Sequence, residues 1–111
     1  MLPKKFRLPP KEFQRVYKRG VKARGEYGML IGLKDETIEG PKFGFVVNSK
    51  IGNAVQRHAM TRRLREVAVA QAGELESPIL FEYVAFKFTK DQAVLEKEFA
   101  TQLQQVIKGL K

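Results

Sequence analysis

Arginine side chains recur on one face of a segment that the sequence predicts to be helical. At 100° per residue, Arg57, Arg65 and Arg62 fall within an arc of about 140°. A guanidinium group is a planar fork that can donate two hydrogen bonds to a phosphate, and a helix holds such groups in fixed directions. The spacing is therefore typical of a surface that binds a phosphate polymer, although a solvated helix face shows the same pattern.

The helix that carries these arginines has clear ends. Asn53 can cap its first turn, Gly73 follows its last residue, and residues 54–72 contain neither Pro nor Gly. The N–H groups of the first turn add a second feature that attracts anions. An apolar stripe beside the arginines predicts the face that packs in the core, at Met60, Leu64 and Val67.

Few residues have the chemistry to make or break bonds. His58 is the only histidine, and its neighbours at i+4 and i+8, Arg62 and Glu66, are poor metal ligands. We interpret His58 as a nucleic-acid contact or an exposed side chain. The acids at residues 35–39 lie beside a Gly-Pro step, where acids are usually turn residues. With no nucleophile and base in a recognisable pattern, we expect no catalytic residue and no metal bound by the protein.

Composition narrows the class of protein. The chain has 111 residues, 43% of them hydrophobic, which predicts one modest core and a single domain over residues 1–111. It carries 21 Lys and Arg against 12 Asp and Glu, a net charge of +9, so a nucleic acid or an acidic surface is the expected partner. The lack of Cys excludes disulfides and thiolate sites and fits a cytoplasmic location. No apolar run has the length of a signal peptide or a membrane span, so we expect no membrane partner.

Hydrophobic periodicity predicts six elements in the order α-β-β-α-β-α. A short helix follows Pro9 and Pro10 and ends at Gly20, and two strands at residues 27–33 and 43–47 are expected to pair as a hairpin. The later elements are the helix at residues 54–72, a strand at residues 79–88 and a last helix. The last helix is expected to start from a capping box at residues 89–92. Its apolar stripe consists of Leu95, Phe99, Leu103 and Val106.

The element order also predicts a fold class. The segment from the second strand through the long helix to the third strand can form a crossover between parallel strands. We therefore expect an α+β fold, a small α/β sandwich with the helices on one face of the sheet.

A family signature is visible at residues 43–57, which read Phe-Gly-Phe-Val-Val-Asn-Ser-Lys-Ile-Gly-Asn-Ala-Val-Gln-Arg. This segment resembles the bacterial ribonuclease P protein family, in which a strand runs through a Gly-Asn-Ala-Val turn into an arginine-rich helix. Residues 62–65, Arg-Arg-Leu-Arg, extend the likeness, and residues 6–8 and 13–20 resemble the family's N-terminal strip and first helix. The chain departs from the family pattern at His58, Ala59 and Thr61, where the family has Asn, Arg and Lys.

The resemblance implies a function and a set of contacts. The chain would be the non-catalytic protein subunit of an endoribonuclease that matures the 5′ end of tRNA, with Mg²⁺ held by the RNA subunit. It would contact that catalytic RNA through Lys50, Asn53, Arg57, His58, Arg62 and Arg65. The 5′ leader of precursor tRNA would lie on Phe13, Tyr17 and Lys11. Phe13 and Tyr17 are equally suited to packing in the core, and for Phe13 the core is the role we expect.

The resemblance also implies a fold and an assembly. The fold would be ribosomal protein S5 domain 2-like, with a left-handed βαβ crossover, and the protein would be a monomer in a 1:1 ribonucleoprotein. The alternative from the residues alone is a ribosome-associated or other structural RNA-binding protein with no role in cleavage, because small basic α+β domains are common there.

Overall fold

The computed structural model describes residues 2–111, which form a four-stranded sheet covered by helices. The sheet has the strand order β1-β2-β4-β3. Its strands are β1 (Val21–Arg24), β2 (Gly28–Lys34), β3 (Lys42–Val46) and β4 (Ile79–Ala85). The helices are α1 (Phe13–Arg19), α2 (Ala54–Ala72) and α3 (Gln92–Gly109), with short 3₁₀ turns at Lys4–Phe6, Pro10–Glu12 and Ser49–Ile51.

Strand β4 lies inside the sheet, antiparallel to β2 and parallel to β3. The parallel pair is joined through α2, so the predicted crossover is confirmed. The predicted hairpin is wrong, because β4 lies between β2 and β3. Six positions of β4 are buried, and a strand that is apolar on both faces is best placed between two neighbours.

The sequence prediction missed the first strand. Strand β1 pairs with β2 antiparallel, and of its side chains only Ala23 is buried. Lys22 and Arg24 alternate with the inward residues and are exposed. Charged residues on a short edge strand prevent pairing with other chains, and they also hide the strand from a hydrophobicity pattern.

Helices cover both faces of the sheet, so the expectation that they share one face is wrong. Helices α2 and α3 pack on one face with Leu30, Phe81 and Tyr83. Helix α1 packs on the other, where Val16 joins Ile31 and Leu80 in a second cluster. Most residues of β2 and β4 are apolar on both sides of the sheet, and each apolar face requires a cover.

Of the two helix caps predicted from the sequence, the cap of α2 is confirmed and the cap of α3 is wrong. Asn53 caps α2 in a capping box with Gln56, with N···O distances of 2.9 and 3.0 Å. The last helix instead begins from Asp91, whose carboxylate accepts from the N–H of Val94 at 3.3 Å. Thr89 stands outside the helix and accepts from the Asp91 N–H, so the capping box predicted at residues 89–92 is wrong.

Candidate nucleic-acid interface

A tight turn positions the start of α2. Gly52 has φ of +148°, a backbone conformation that favours glycine, and a Cβ at this position would overlap the side chain of Gln56. The Asn48 side chain accepts from the Lys50 N–H at 3.0 Å, and Arg57 Nη1 donates to the Gly52 carbonyl at 2.8 Å. The turn is therefore built by hydrogen bonds, while the side chains of Lys50 and Asn53 stay exposed.

The predicted arginine face exists, but its three side chains differ in burial and in their partners. Arg57 is half-buried and is held by its hydrogen bond to the turn. Arg62 is exposed, and its Nε lies 3.7 Å from Glu66 Oε1. Arg65 is half-buried beside Arg62, and both line a depression with the N-terminal residues Leu2 and Pro3. Such exposed ion pairs contribute little to stability, so Arg62 is available to an anionic partner.

Two other polar residues of α2, His58 and Arg63, differ in their exposure. His58 is exposed on the first turns of the helix. Arg63 is half-buried, and its Nη1 is buried without a hydrogen-bond partner. Arg63 therefore belongs to the packed side of the helix, as its place on the helical wheel predicts.

A groove of about 350 Å³ connects α1 with α2 at the β3 edge of the sheet. Arg7 bridges to Phe43, and the Leu8 N–H donates to the Phe43 carbonyl at 2.8 Å, so the N-terminal strip borders the same edge. Phe13 from α1 and Arg65 from α2 both line the groove. An aromatic ring and a guanidinium group thus share one concave surface.

The three residues predicted for the leader have different surroundings. Phe13 is half-buried, and its ring fills the space that a side chain at Gly44 would occupy. Tyr17 is 47% exposed, and Lys11 is exposed. Phe13 therefore has a packing role as well as a place in the groove, while the Tyr17 ring is partly exposed to solvent.

Cations and aromatic rings also meet at Tyr17 and at Phe86, through residues that the sequence prediction missed. Lys22 Nζ lies 5.0 Å from the centroid of the Tyr17 ring and donates to the Tyr17 carbonyl. The Arg24 guanidinium lies 4.8 Å from the Phe86 ring. The period-two spacing of Lys22 and Arg24 was the available signal, but it has meaning only once β1 is known to be a strand.

One basic residue of α1 has a structural role. Arg15 donates to Glu12 at 2.9 Å and to Asp35 at 2.9 Å, and so ties α1 to the loop after β2. Hydrogen bonds from Thr37 and Arg15 lower the pKa of Asp35 to about 2. The acids of residues 35–39 accordingly include a turn residue, in agreement with the sequence interpretation.

The fold matches solved structures of one class of protein. The ribonuclease P protein from Thermotoga maritima superposes with a TM-score of 0.75 at 20% identity, over 90% of this chain and 96% of that one. The ribonuclease P protein from Staphylococcus aureus gives a TM-score of 0.71 at 22% identity, over 96% and 95%. The architecture is therefore that of bacterial ribonuclease P proteins.

Sequence comparison identifies the family. The model of the Ribonuclease P family matches residues 2–111. The ribonuclease P protein component of Mycolicibacterium vanbaalenii is 32% identical over 111 residues, covering 96% of this chain and 93% of that protein. The chain belongs to the ribonuclease P protein family, which confirms the resemblance seen in the sequence. In residues 2–111, no helix is long and apolar enough to cross a membrane.

Proposed function

We propose that this chain binds the catalytic RNA of ribonuclease P and holds the 5′ leader of precursor tRNA beside it. The observation that carries the proposal is the groove shared by Phe13 and Arg65, because it joins an aromatic helix to an arginine helix. Aromatic rings stack unpaired bases, and guanidinium groups hold phosphates. One single strand can therefore contact both helices.

The catalytic RNA is assigned to the α2 side of the groove. Its contacts are the exposed or half-buried polar side chains of the turn and of α2, namely Lys50, Asn53, Arg57, His58, Arg62 and Arg65. These residues neutralise phosphates, and His58 acts as a substitute contact at the family's Asn position. The main contribution is electrostatic, so binding is expected to weaken steeply as salt rises.

The leader is assigned to the α1 side, at Phe13, Tyr17 and Lys11. Tyr17 supplies the exposed stacking surface, and exposed basic residues lie near it at Lys18, Arg19 and Lys22. Holding the leader in this way fixes the register of the precursor tRNA, which lowers the entropy cost of reaching the reactive geometry. The protein thus acts on the reaction by position and charge.

The bond chemistry is assigned to the RNA subunit and its Mg²⁺, which hydrolyse one phosphodiester bond at the mature 5′ end of tRNA. The protein offsets the repulsion between two polyanions. We further propose one protein per catalytic RNA, in the cytoplasm.

Reconstitution tests this function. The chain is mixed with a bacterial ribonuclease P RNA and precursor tRNA at low Mg²⁺, where the RNA alone is slow. We expect cleavage that depends on both RNA and protein, and tighter binding of precursor than of mature tRNA. Cleavage by the protein alone, or equal binding of precursor and mature tRNA, would contradict the proposal.

A further inference from the structure

A depression of about 410 Å³, which we call the α2 depression, lies between α2 and the N-terminal residues Leu2 and Pro3. Leu2 is buried in the main core cluster. Arg7 Nη2 donates to the Leu2 carbonyl at 3.0 Å, which holds this wall of the depression in place. The volume is in the range of about 300 to 1,000 Å³ that small organic ligands occupy in proteins.

The α2 depression has an apolar part and a charged part. Val69 and Ala70 contribute apolar surface from α2, together with the two N-terminal residues. The charged side chains, Arg62, Arg65 and Glu66, come from the preceding turns of the same helix. Residues four apart share one face of a helix, so the charged groups border the apolar part directly. Such a surface suits a flat ring that is linked to phosphates, as a nucleobase is in RNA.

Glu66 is an acid on a surface that is proposed to bind a polyanion. Its side chain is 57% exposed, and its Oε1 lies 3.7 Å from Arg62 Nε. This separation is longer than a hydrogen bond, so the carboxylate oxygens are open to other donors. The exposed ion pair itself contributes little to stability. A carboxylate repels phosphate, and its place beside the arginines is explained better by a contact with the edge of a base.

Guanine is the base that matches a carboxylate best. Its Watson–Crick edge has two adjacent donors, the N1–H and the 2-amino group, and a carboxylate offers two acceptor oxygens side by side. On the same edge, adenine, cytosine and uracil each place an acceptor beside the donor, and a carboxylate repels that acceptor. The edge is free only in an unpaired guanine, because base pairing uses it, and proteins that recognise RNA bases mostly contact such unpaired positions.

We propose that the α2 depression binds one unpaired guanine of the catalytic RNA, whose Watson–Crick edge donates to the Glu66 carboxylate. The ring lies on the apolar part at Leu2 and Val69, and Arg62 and Arg65 hold the adjacent phosphates. The inference rests on the proposed binding of ribonuclease P RNA by α2. It adds a contact that is specific for a base, whereas arginine contacts with phosphate carry no base information.

Glu66→Gln tests this contact through the direction of its effect on affinity. The variant keeps the shape of the side chain but replaces one acceptor with an amide donor, which opposes a donor of guanine. We expect the affinity for a bacterial ribonuclease P RNA to fall about 3- to 10-fold, the range of a single hydrogen bond. Without the contact, loss of a negative charge beside Arg62 would strengthen the binding of a polyanion.

Glu36→Gln is the matched control, because Glu36 is also exposed and its Oε1 lies 3.5 Å from Lys34 Nζ. This change removes the same charge from a similar ion pair in the loop after β2. The variant should therefore bind ribonuclease P RNA at least as tightly as wild type does.

Short single strands identify the base. Uracil heptamers with a central A, C, G or U are titrated with the chain at low salt, where phosphate contacts are strong. We expect wild type to bind the guanine heptamer about 3- to 10-fold more tightly than the others. Glu66→Gln should lose this preference and favour adenine, whose neighbouring donor and acceptor match an amide.

The results separate this inference from the proposed function. If wild type binds ribonuclease P RNA and Glu66→Gln binds it equally or more tightly, Glu66 makes no base contact and the inference is wrong. The inference is also wrong if wild type does not prefer guanine, or if Glu66→Gln keeps the preference. If wild type does not bind ribonuclease P RNA at all, the proposed function fails, and the inference fails with it.

Discussion

Phe13 and Arg65 line one groove, although their helices cover opposite faces of the sheet. The groove lies at the edge strand β3, where the N-terminal strip pairs through Arg7 and Phe43. A single strand that follows this edge passes from the arginine helix to the aromatic helix without crossing the sheet. The proposed separation into an RNA side and a leader side depends on this geometry.

Tyr17→Ala is expected to weaken binding of precursor tRNA more than binding of mature tRNA. The ring is 47% exposed, and loss of one stacked base corresponds to about 1 to 3 kcal/mol. Tyr17→Phe is the matched control, because it keeps the ring and should bind nearly as wild type does. The measurement is the affinity of each variant for precursor tRNA and for mature tRNA. An equal loss of affinity for the two RNAs would exclude a leader role.

Gly44→Ala is expected to destabilise the protein and to disturb the groove. The new Cβ would overlap the Phe13 ring, and forcing extra volume into a packed site typically lowers the free energy of unfolding by about 1 to 3 kcal/mol. Gly40→Ala is the control, because its nearest neighbour is the Leu75 carbonyl oxygen at 4.0 Å. Urea unfolding of both variants measures the difference, and equal stability of the two would show that Phe13 is not packed on Gly44.

The local elements of this fold were predictable from the sequence, but their arrangement was not. The bounds of α2 follow from Asn53, Gly73 and an uninterrupted helical pattern, all of which are near in sequence. The place of β4 between β2 and β3 depends on pairing between distant segments, which periodicity does not report. For the same reason, the predicted arginine face could be drawn on a helical wheel, whereas its groove with Phe13 could not.

Lys22 and Arg24 were missed by the sequence prediction for a different reason. Lys22 and Arg24 belong to a strand with a single buried side chain, so the hydrophobic signal that reveals strands is weak there. Glu82 on β4 is 3% exposed, and its Oε1 is buried without a hydrogen-bond partner among residues 2–111. It was hidden for the opposite reason, because a charged residue inside an apolar run still allows the run to be recognised as a strand. Its burial and missing partner are properties of the packed sheet.

Glu82 is also expected to make stability fall as pH rises. Its pKa is about 7 in the folded chain against an ordinary value of 4.5. Below pH 4.5 the carboxyl group is protonated in both states. Between pH 4.5 and about 7 the unfolded chain releases the proton first, so the free energy of unfolding decreases, and above that range the loss is complete at roughly 1 to 3 kcal/mol.

Glu82→Gln isolates this contribution, because it is neutral at every pH and has nearly the same shape. Urea unfolding at pH 5 and pH 8 should show that the advantage of the variant over wild type is larger at pH 8. The lowered pKa of Asp35, about 2, acts in the opposite direction but outside this window. An equal difference at the two pH values would mean that Glu82 is not held in a poorly solvated site.

Arg57, Arg62 and Arg65 should each contribute to RNA binding in the same manner. If they contact phosphates, each Ala replacement weakens binding by a similar factor for every leader sequence, because a phosphate carries no base information. Each lost contact should also reduce the slope of log affinity against log salt by roughly 0.7 to 0.9. Titrations with ribonuclease P RNA at several salt concentrations measure both effects.

Two replacements distinguish phosphate contacts made by this face from a general attraction by the net charge of the protein. Lys108→Ala removes an exposed charge from the last turn of α3 and should leave the slope nearly unchanged. Arg63→Ala removes a charge from α2 itself, but from its packed side, where Nη1 is buried. A diffuse electrostatic attraction would respond to all of these changes equally, because it depends on net charge alone. If Arg63→Ala flattened the slope as much as Arg62→Ala, α2 would attract RNA by its total charge, and the arginine face would have no specific role.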